Sequence, residues 1–332
     1  MVLVLSTFSA AAQVGGRGTY QFLNLPINPH TAALGGKNVT LLNNNPTNVL
    51  SNPALLDSTM SKQVSVNYMN YIADINYGTA AYAHDFGEKY GTFQAGITYI
   101  DYGSFEGFDE MGNATNSFGA NETAFSMGYA YRIPKSKFYV GANLKFITSR
   151  LEQYSSFGMA TDLGVTYINP ESLWVVSAVL RNAGMQITAY DEVRERLPLE
   201  LIIGLSKRLE KVPIRWHLTL ENMQQWDVSF RNPALDETDL EGNVTEHNPS
   251  AINNALRHVI VGAELFPDGG FSPRIGYSFR RSEELSVADH RSFAGLTLGF
   301  MVKFNKVRFS YSFMRYNQAA SSSFFGLDLD LM

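Results

Sequence analysis

The feature that most constrains this chain is a two-residue alternation of apolar and polar side chains, sustained over ten residues or more. Between Ala294 and Phe304, the residues Ala294, Leu296, Leu298, Phe300, Val302 and Phe304 share one face of an extended chain, and Gly295, Thr297, Gly299, Met301 and Lys303 share the other. The pattern follows because successive side chains of a strand point to opposite faces. Phe157, Met159, Leu163, Val165 and Tyr167 alternate with Gly158, Ala160, Asp162, Gly164 and Thr166 in the same way, as do Val307, Phe309, Tyr311 and Phe313 with Arg308, Ser310, Ser312 and Met314. One face suits lipid. The other, rich in Gly, Ser, Asn and isolated charge, suits a lumen, and the combination predicts an all-β fold, an antiparallel transmembrane barrel. On this reading arginine is tolerated better at Thr297 than at lipid-facing Leu298.

Composition is compatible with that class and narrows the alternatives. Tyr and Phe number 17 and 22 in 332 residues, more than a core needs and suited to the aromatic girdles at membrane interfaces. Cysteine is absent, so neither a disulfide framework nor a thiolate metal site can form. A net charge of -5 argues against a nucleic-acid partner, which needs a basic surface. His30, His84, His217, His247, His258 and His290 are scattered singly, without the i, i+4 spacing of a helical zinc site. Neither a nucleophile elbow nor a phosphate loop is present. The expectation is a protein with no catalytic residues, no metal and no cofactor.

Three regions follow. Residues 1–12 end in Ser9-Ala10-Ala11-Ala12 after a short apolar run, a cleavable export signal leaving Gln13 first. No later stretch approaches eighteen uninterrupted apolar residues, so no spanning helix is expected, whereas a closed barrel satisfies its backbone internally. Residues 13–60 do not alternate. They are interrupted by Asn43-Asn44-Asn45-Pro46 and Asn52-Pro53, and their apolar Phe22, Leu23, Leu25, Leu34, Leu41 and Leu42 need burial, so they are expected to form a hatch in the lumen. Residues 61–332 form the barrel of about fourteen strands. These are expected near 62–72, 74–86, 91–105, 120–133, 136–150, 157–168, 172–182, 197–209, 213–223, 256–267, 271–282, 290–304, 306–317 and 321–331. Tight turns rich in Gly, Pro and Asn, such as Pro134-Lys135, Asn169-Pro170-Glu171 and Asn305-Lys306, belong to the periplasmic end. Longer loops near 106–119, 183–196, 224–255 and 283–289 belong outside, with a very short exception around Ala73.

Inward-facing charges are expected to pair within the lumen rather than to catalyse, with Asp162 answered by Lys145, Arg132, Lys303 or Arg308, and Asp328 and Asp330 read in the same way. Asp236, Glu237, Asp239, Glu241 and Glu246 crowd one long loop. Their spacing does not match a calcium loop, so this is read as a solvated acidic loop and a candidate docking surface for a partner.

The leader also carries a resemblance. Gly15-Gly16-Arg17-Gly18-Thr19-Tyr20-Gln21-Phe22-Leu23-Asn24-Leu25-Pro26, Ala32-Ala33-Leu34-Gly35-Gly36 and Asn52-Pro53-Ala54-Leu55-Leu56 resemble the PorQ-type outer-membrane barrels of the Bacteroidetes type IX secretion system. The Asn-Pro-Ala step is similar to that of the wider PorV and FadL group, as is Asn182-Ala183-Gly184 after a strand. Asn28-Pro29-His30 departs from the group's usual step. The resemblance implies a fourteen-strand barrel in a Gram-negative outer membrane, with Gly35, Gly36, Asn52, Pro53 and Ala54 marking the hatch. It implies a non-catalytic role in protein secretion: anchoring a PorZ-like surface protein in the attachment complex, alongside PorU and PorV-like components and in contact with outer-membrane lipid and lipopolysaccharide. The alternative within the same group is a FadL-like transporter of hydrophobic small molecules, which requires a continuous apolar groove.

Overall fold

The computed structural model describes residues 18–73, 75–87, 89–109, 111–228, 250–285, 295–315 and 321–331, with the backbone alone of Glu237–Thr238 and Val244–Thr245. The expected export signal at residues 1–12, Gly15 to Arg17, Asp236, Asp239, Glu241, Glu246, His247 and His290 lie outside the described residues, and of Glu237 only the backbone is described. No helix among the described residues is long and apolar enough to cross a membrane.

The strands are β1 (Gln63–Asn70), β2 (Asn76–Asp85), β3 (Thr92–Phe105), β4 (Phe118–Arg132), β5 (Phe138–Leu151), β6 (Tyr154–Asn169), β7 (Trp174–Thr188), β8 (Glu200–Arg208) and β9 (Ile214–Leu220), then β10 (Glu237–Thr238) and β11 (Val244–Thr245), and finally β12 (Val259–Leu265), β13 (Phe271–Ser278), β14 (Leu296–Phe304), β15 (Val307–Arg315) and β16 (Ser321–Asp330). All except the β10–β11 ribbon form one closed antiparallel barrel of fourteen strands, with β1 hydrogen-bonded to both β2 and β16. Closure leaves the sheet no unpaired edge, which is what allows strands to sit in hydrocarbon.

The alternation read from the sequence is the facing seen in the fold. Leu298, Val302, Phe309, Phe313, Phe325 and Leu327 are exposed on the outside, while Thr297, Ser310, Ser312, Ser322 and Asp328 are buried within. A soluble protein inverts this distribution. At the end of the tight turns the outward rings form a girdle: Phe93 lies 4.9 Å from Tyr129, Phe138 5.2 Å from Tyr167, Trp174 5.4 Å from Trp216 and Phe271 6.1 Å from Phe300 between ring centroids. Such amphipathic rings mark the level of a membrane interface.

Several boundaries differ from expectation for local reasons. The strand expected over 271–282 stops at Ser278, whose Oγ accepts from the Arg281 amide and starts α3 (Phe279–Glu284). The strand expected from 256 begins at Val259, because Ser250 caps α2 (Ala251–Arg257) by accepting from the Asn253 amide. Asn182-Ala183-Gly184 is not a turn. Asn182 adopts φ 57°, the register of β6 against β7 shifts beside Asp162, and β7 continues to Thr188, a β-bulge that absorbs one residue without ending the strand. The connection at 152–153 is tight although it lies at the long-loop end.

The segment from residue 18 to residue 62 is hydrogen-bonded in turn to strands spread around the whole ring, so it runs through the lumen. It begins at the long-loop end, where the Thr19 amide donates to the Arg196 carbonyl at 3.1 Å, and finishes at the opposite end, where the Leu331 amide donates to the Lys62 carbonyl at 3.0 Å. Its turns are built by repeated Asn-Pro steps. Asn28, Asn45 and Asn52 each accept, through the side-chain oxygen, from the amide two or three residues on, and Pro29, Pro46 and Pro53 open the short helical turn that follows, the first of them α1 (Pro29–Ala33). Asn at the N-cap and Pro at the first helical position are favoured because one supplies an acceptor and the other lacks a donor that would be orphaned. The wall leaves room for this segment with glycine: a Cβ at Gly141 would strike the Pro53 carbonyl carbon, and one at Gly276 would strike Leu34 and Gly35.

Thr297 donates to the Ala33 carbonyl at 2.9 Å and is fully buried, so the lumen has no room there for the arginine that the alternation alone would tolerate. Leu298→Arg places a charge on the lipid face at mid-strand and is expected to cost about 2–4 kcal/mol, read from urea unfolding in lipid vesicles. Gly141→Val should leave the barrel inserted but unseat the segment, giving protease cleavage near residue 53 that the parent protein resists.

Candidate functional site

Along its axis the lumen is filled in three layers. At the long-loop end Tyr20, Phe22 and Leu23 of the segment pack with Met69, Tyr77, Ile100, Ile147, Met314 and Phe324 of the wall, all nearly or fully buried. This is the largest apolar cluster within the barrel among the described residues, and the Tyr20 hydroxyl anchors it through a 2.5 Å hydrogen bond with Ser156.

The middle layer is ionic. Lys37, in the segment, pairs with Glu200 and, at 2.7 Å, with Glu221. Burial lowers its pKa, but the two carboxylates outweigh that effect and hold it above the usual lysine value, so Lys37 remains charged. Lys145 pairs with Asp162 at 2.7 Å and donates to Asn182 Oδ1 at 2.8 Å, while the Asn182 amide donates to Asp162 Oδ1 at 2.8 Å. The β-bulge therefore supplies the donor that completes the Asp162 carboxylate. Arg181 donates to the Leu23 carbonyl at 2.8 Å, linking this layer to the apolar one.

A second ionic group centres on Glu264. Its Oε1 accepts from Arg215 at 3.1 Å and His217 at 3.0 Å, and its Oε2 accepts from His30 at 3.0 Å, with Arg274 Nε 3.7 Å away. Asn43 donates to His30 Nδ1 at 2.7 Å, which leaves Nε2 to carry the hydrogen given to Glu264, the bonding of a neutral ring. Burial first, and then the Arg274 guanidinium, lower the His30 pKa to about 3 against the pull of Glu264.

The third layer is a cavity of about 230 Å³ at the tight-turn end, between the segment at Asn43–Asn45 and strands β13 to β15. Arg274, Lys303, Arg308 and Asp328 line it. Arg308 donates to the carbonyls of Asn43 and, at 3.1 Å, Asn44, and its Nε stands 3.5 Å from Asp328.

Of the residues singled out in the sequence, Asn52 joins wall and segment by donating to the Val39 carbonyl at 2.7 Å and to Thr166 Oγ1 at 3.0 Å. Pro53 and Ala54 lie against Gly141 and Gly164. Gly35 and Gly36 have φ of 103° and 102°, a region that favours glycine, and side chains there would collide with Ile260 and Arg281. Lys145 and Asp162 meet as a pair, and Arg308 turns to Asp328 instead. Arg132 is corrected: it has the inward parity but is the last residue of β4, so it emerges into solvent and lies over the Tyr139 ring at 5.5 Å. Lys303, one residue from the end of β14, is exposed at the cavity mouth and pairs with no carboxylate among the described residues. Glu264, His30, His217, Lys37 and Glu221 were not identified from sequence. Alternation places Glu264 and His217 inward, but nothing in a single chain tells which inward groups will meet. No group of side chains suited to hold a metal occurs among the described residues.

No family model matches this chain, and no curated protein does. Among solved structures it is similar to the Ralstonia pickettii toluene transporter TbuX, at TM-score 0.56 and 13% identity over 93% of this chain and 99% of that one. It is also similar to a ΔS2 mutant of the monoaromatic hydrocarbon channel TodX, at TM-score 0.51 and 14% identity over 91% and 96%. At that identity the likeness is one of fold, a closed antiparallel barrel of fourteen strands.

Removing one partner from a buried ionic group leaves the others uncompensated, at a cost of about 3–5 kcal/mol. Glu264→Ala is therefore expected to lower the barrel's unfolding midpoint strongly. Asp268→Ala, which removes a half-exposed partner of Arg208, should change it by no more than about 1 kcal/mol. Heat-dependent gel mobility of the folded barrel compares the two.

Proposed function

We propose that this protein is an outer-membrane channel for small hydrophobic compounds, kept shut by its own N-terminal segment acting as a hatch. The observation that carries this reading is the apolar layer at the long-loop end. Most of the lumen is lined by polar and charged groups, yet here the wall presents Met69, Tyr77, Ile100, Ile147, Met314 and Phe324, and the partners filling that space are Tyr20, Phe22 and Leu23 of the segment. The chain thus occupies an apolar chamber with a ligand of its own. Withdrawing Phe22 and Leu23 leaves a space of the kind that stays dry and accepts an aromatic hydrocarbon. The likeness of fold to a toluene transporter and a monoaromatic hydrocarbon channel supports the same substrate class, and a Gram-negative outer membrane as the setting.

The test is toluene binding by the detergent-solubilised protein, followed by calorimetry. Burying one such side chain is worth about 1.5–3 kcal/mol, so removing the competing side chains should tighten binding roughly tenfold or more. Phe22→Ala/Leu23→Ala is expected to bind toluene saturably and more tightly than the parent. Absence of saturable binding in the folded double variant would overturn the reading.

The second reading is a non-catalytic scaffold in type IX secretion, holding a PorZ-like surface protein together with PorU and PorV-like components. It is supported by the leader's resemblance and by Trp226, Ile252 and Leu256, which are exposed on either side of the long loop between β9 and β12. Replacing residues 231–248 with a Gly/Ser linker spares the Ser250 cap and should, on this reading, release the surface partner in a pull-down from solubilised outer membranes. Retention of the partner would exclude this loop as the dock.

A further inference from the structure

The cavity at the tight-turn end is not explained by passage of a hydrophobic solute, because its walls are polar and cationic. Arg274, Lys303 and Arg308 reach it from three successive strands, β13, β14 and β15, with Asn43, Asn44 and Asn45 of the segment facing them. We infer that this cavity binds a small, multiply charged oxyanion, a phosphate or a polycarboxylate.

The charge balance points that way. Of the residues that line the cavity, Asp268 and Asp328 are the carboxylates and Arg274, Lys303 and Arg308 the permanent cations. His30 is neutral, so the region carries an excess of positive charge. The carboxylates are already engaged. Glu264 accepts from His30, His217 and Arg215, Asp268 pairs with Arg208, and Asp328 accepts from Ser65 and, at 2.8 Å, from Asn45 while facing Arg308.

Arg274 is the second, independent sign. It is 5% exposed and lines the cavity; its Nε faces Glu264 Oε2 at 3.7 Å, and its Nη1 has no hydrogen-bond partner. A buried guanidinium nitrogen left without a partner is costly unless a ligand answers it, and the planar fork matches the oxygens of phosphate or carboxylate. Lys303 stands exposed at the mouth with no carboxylate paired to it among the described residues, placed to meet the same anion from the open side. Because the cavity separates Asn43–Asn45 from β13–β15, an anion held there ties the segment to the wall and adds to what keeps the lumen filled.

The experiment is titration of the full-length, detergent-solubilised protein with inorganic phosphate and, separately, with citrate, by calorimetry at low salt. Saturable binding of either is expected, weakening as sodium chloride is raised. Lys303→Gln removes one charge-assisted hydrogen bond at the mouth and should weaken binding about tenfold. Arg274→Gln should lose measurable binding while keeping the heat-dependent gel mobility of a folded barrel. Arg132→Gln, at the rim outside the cavity, should bind like the parent. If neither anion binds saturably at millimolar concentration, or if Lys303→Gln or a folded Arg274→Gln binds as the parent does, the site is disproved. Should Arg274→Gln fail to fold, Lys303→Gln decides alone. Toluene binding is a separate measurement in a separate layer, so either proposal can fail without the other.

Discussion

Everything in this structure depends on the closure of β1 onto β16. The register runs from Gln63 opposite Asp330 to Asn70 opposite Ser323, and it gives the last two free edges of the sheet to each other. In hydrocarbon an unpaired amide or carbonyl has no water to turn to, and each one costs several kcal/mol. Closure removes that cost for the whole wall at once. It also fixes the sense of every side chain, since a strand held in register within a ring has one face to lipid and the other to the lumen.

The lumen then has to be filled, and away from its apolar clusters the means are polar. Small inward residues bring the N-terminal segment's backbone close to the wall, as at Gly141 and Gly276, and hydrogen bonds with ion pairs do the rest. Ionic groups as deep as Lys145–Asp162 or the Glu264 cluster are poor sources of net stability, because taking charges out of water costs about what their attraction returns. Their value lies in specificity. Lys37 has carboxylates to meet at Glu200 and Glu221, and His30 meets Glu264, so the segment has one seat, and a shifted seat leaves charges buried and unpaired. A segment seated this way differs from a hydrophobic core in that it resists sliding.

The largest apolar cluster within the barrel among the described residues lies at the long-loop end, around Phe22 and Leu23 with Tyr77, Ile147 and Phe324, and smaller ones join Val49, Leu55, Leu56 and Met60 to Ala83 and Val39 to Val179 and Ile202. The arrangement separates two tasks along one axis. The polar layers fix the seat of the segment through directional bonds, while the apolar layer fills the space around Phe22 and Leu23. The Asn-Pro steps fit this division, since Asn28, Asn45 and Asn52 each use one side chain both to start a turn and to bond beyond it, to Asn48, Asp328 and Thr166 respectively.

The barrel was legible in the sequence because its determinants are local. Two-residue periodicity sets which residues of β6, β14 and β15 face lipid, Gly, Pro and Asn mark the tight turns, and the fourteen strands follow in order. Exceptions arose where a local cap competes with extension, as at Ser250 and Ser278, or where a bulge lets a strand pass through a turn-like step, as at Asn182. The site was only partly legible. Alternation put Asp162, Lys145, Arg308 and Asp328 inward, and it also put Arg132 inward, although a residue at the end of a strand has already left the lumen. What tertiary structure alone decided is which inward groups meet. His30 and Glu264 lie 234 residues apart and Lys37 and Glu200 163, and their meeting depends on how the ring closes and how the segment threads it. Periodicity is a property of neighbours along the chain, and therefore written in the sequence, whereas partnership across a lumen is a property of the closed ring and exists only once the ring has formed.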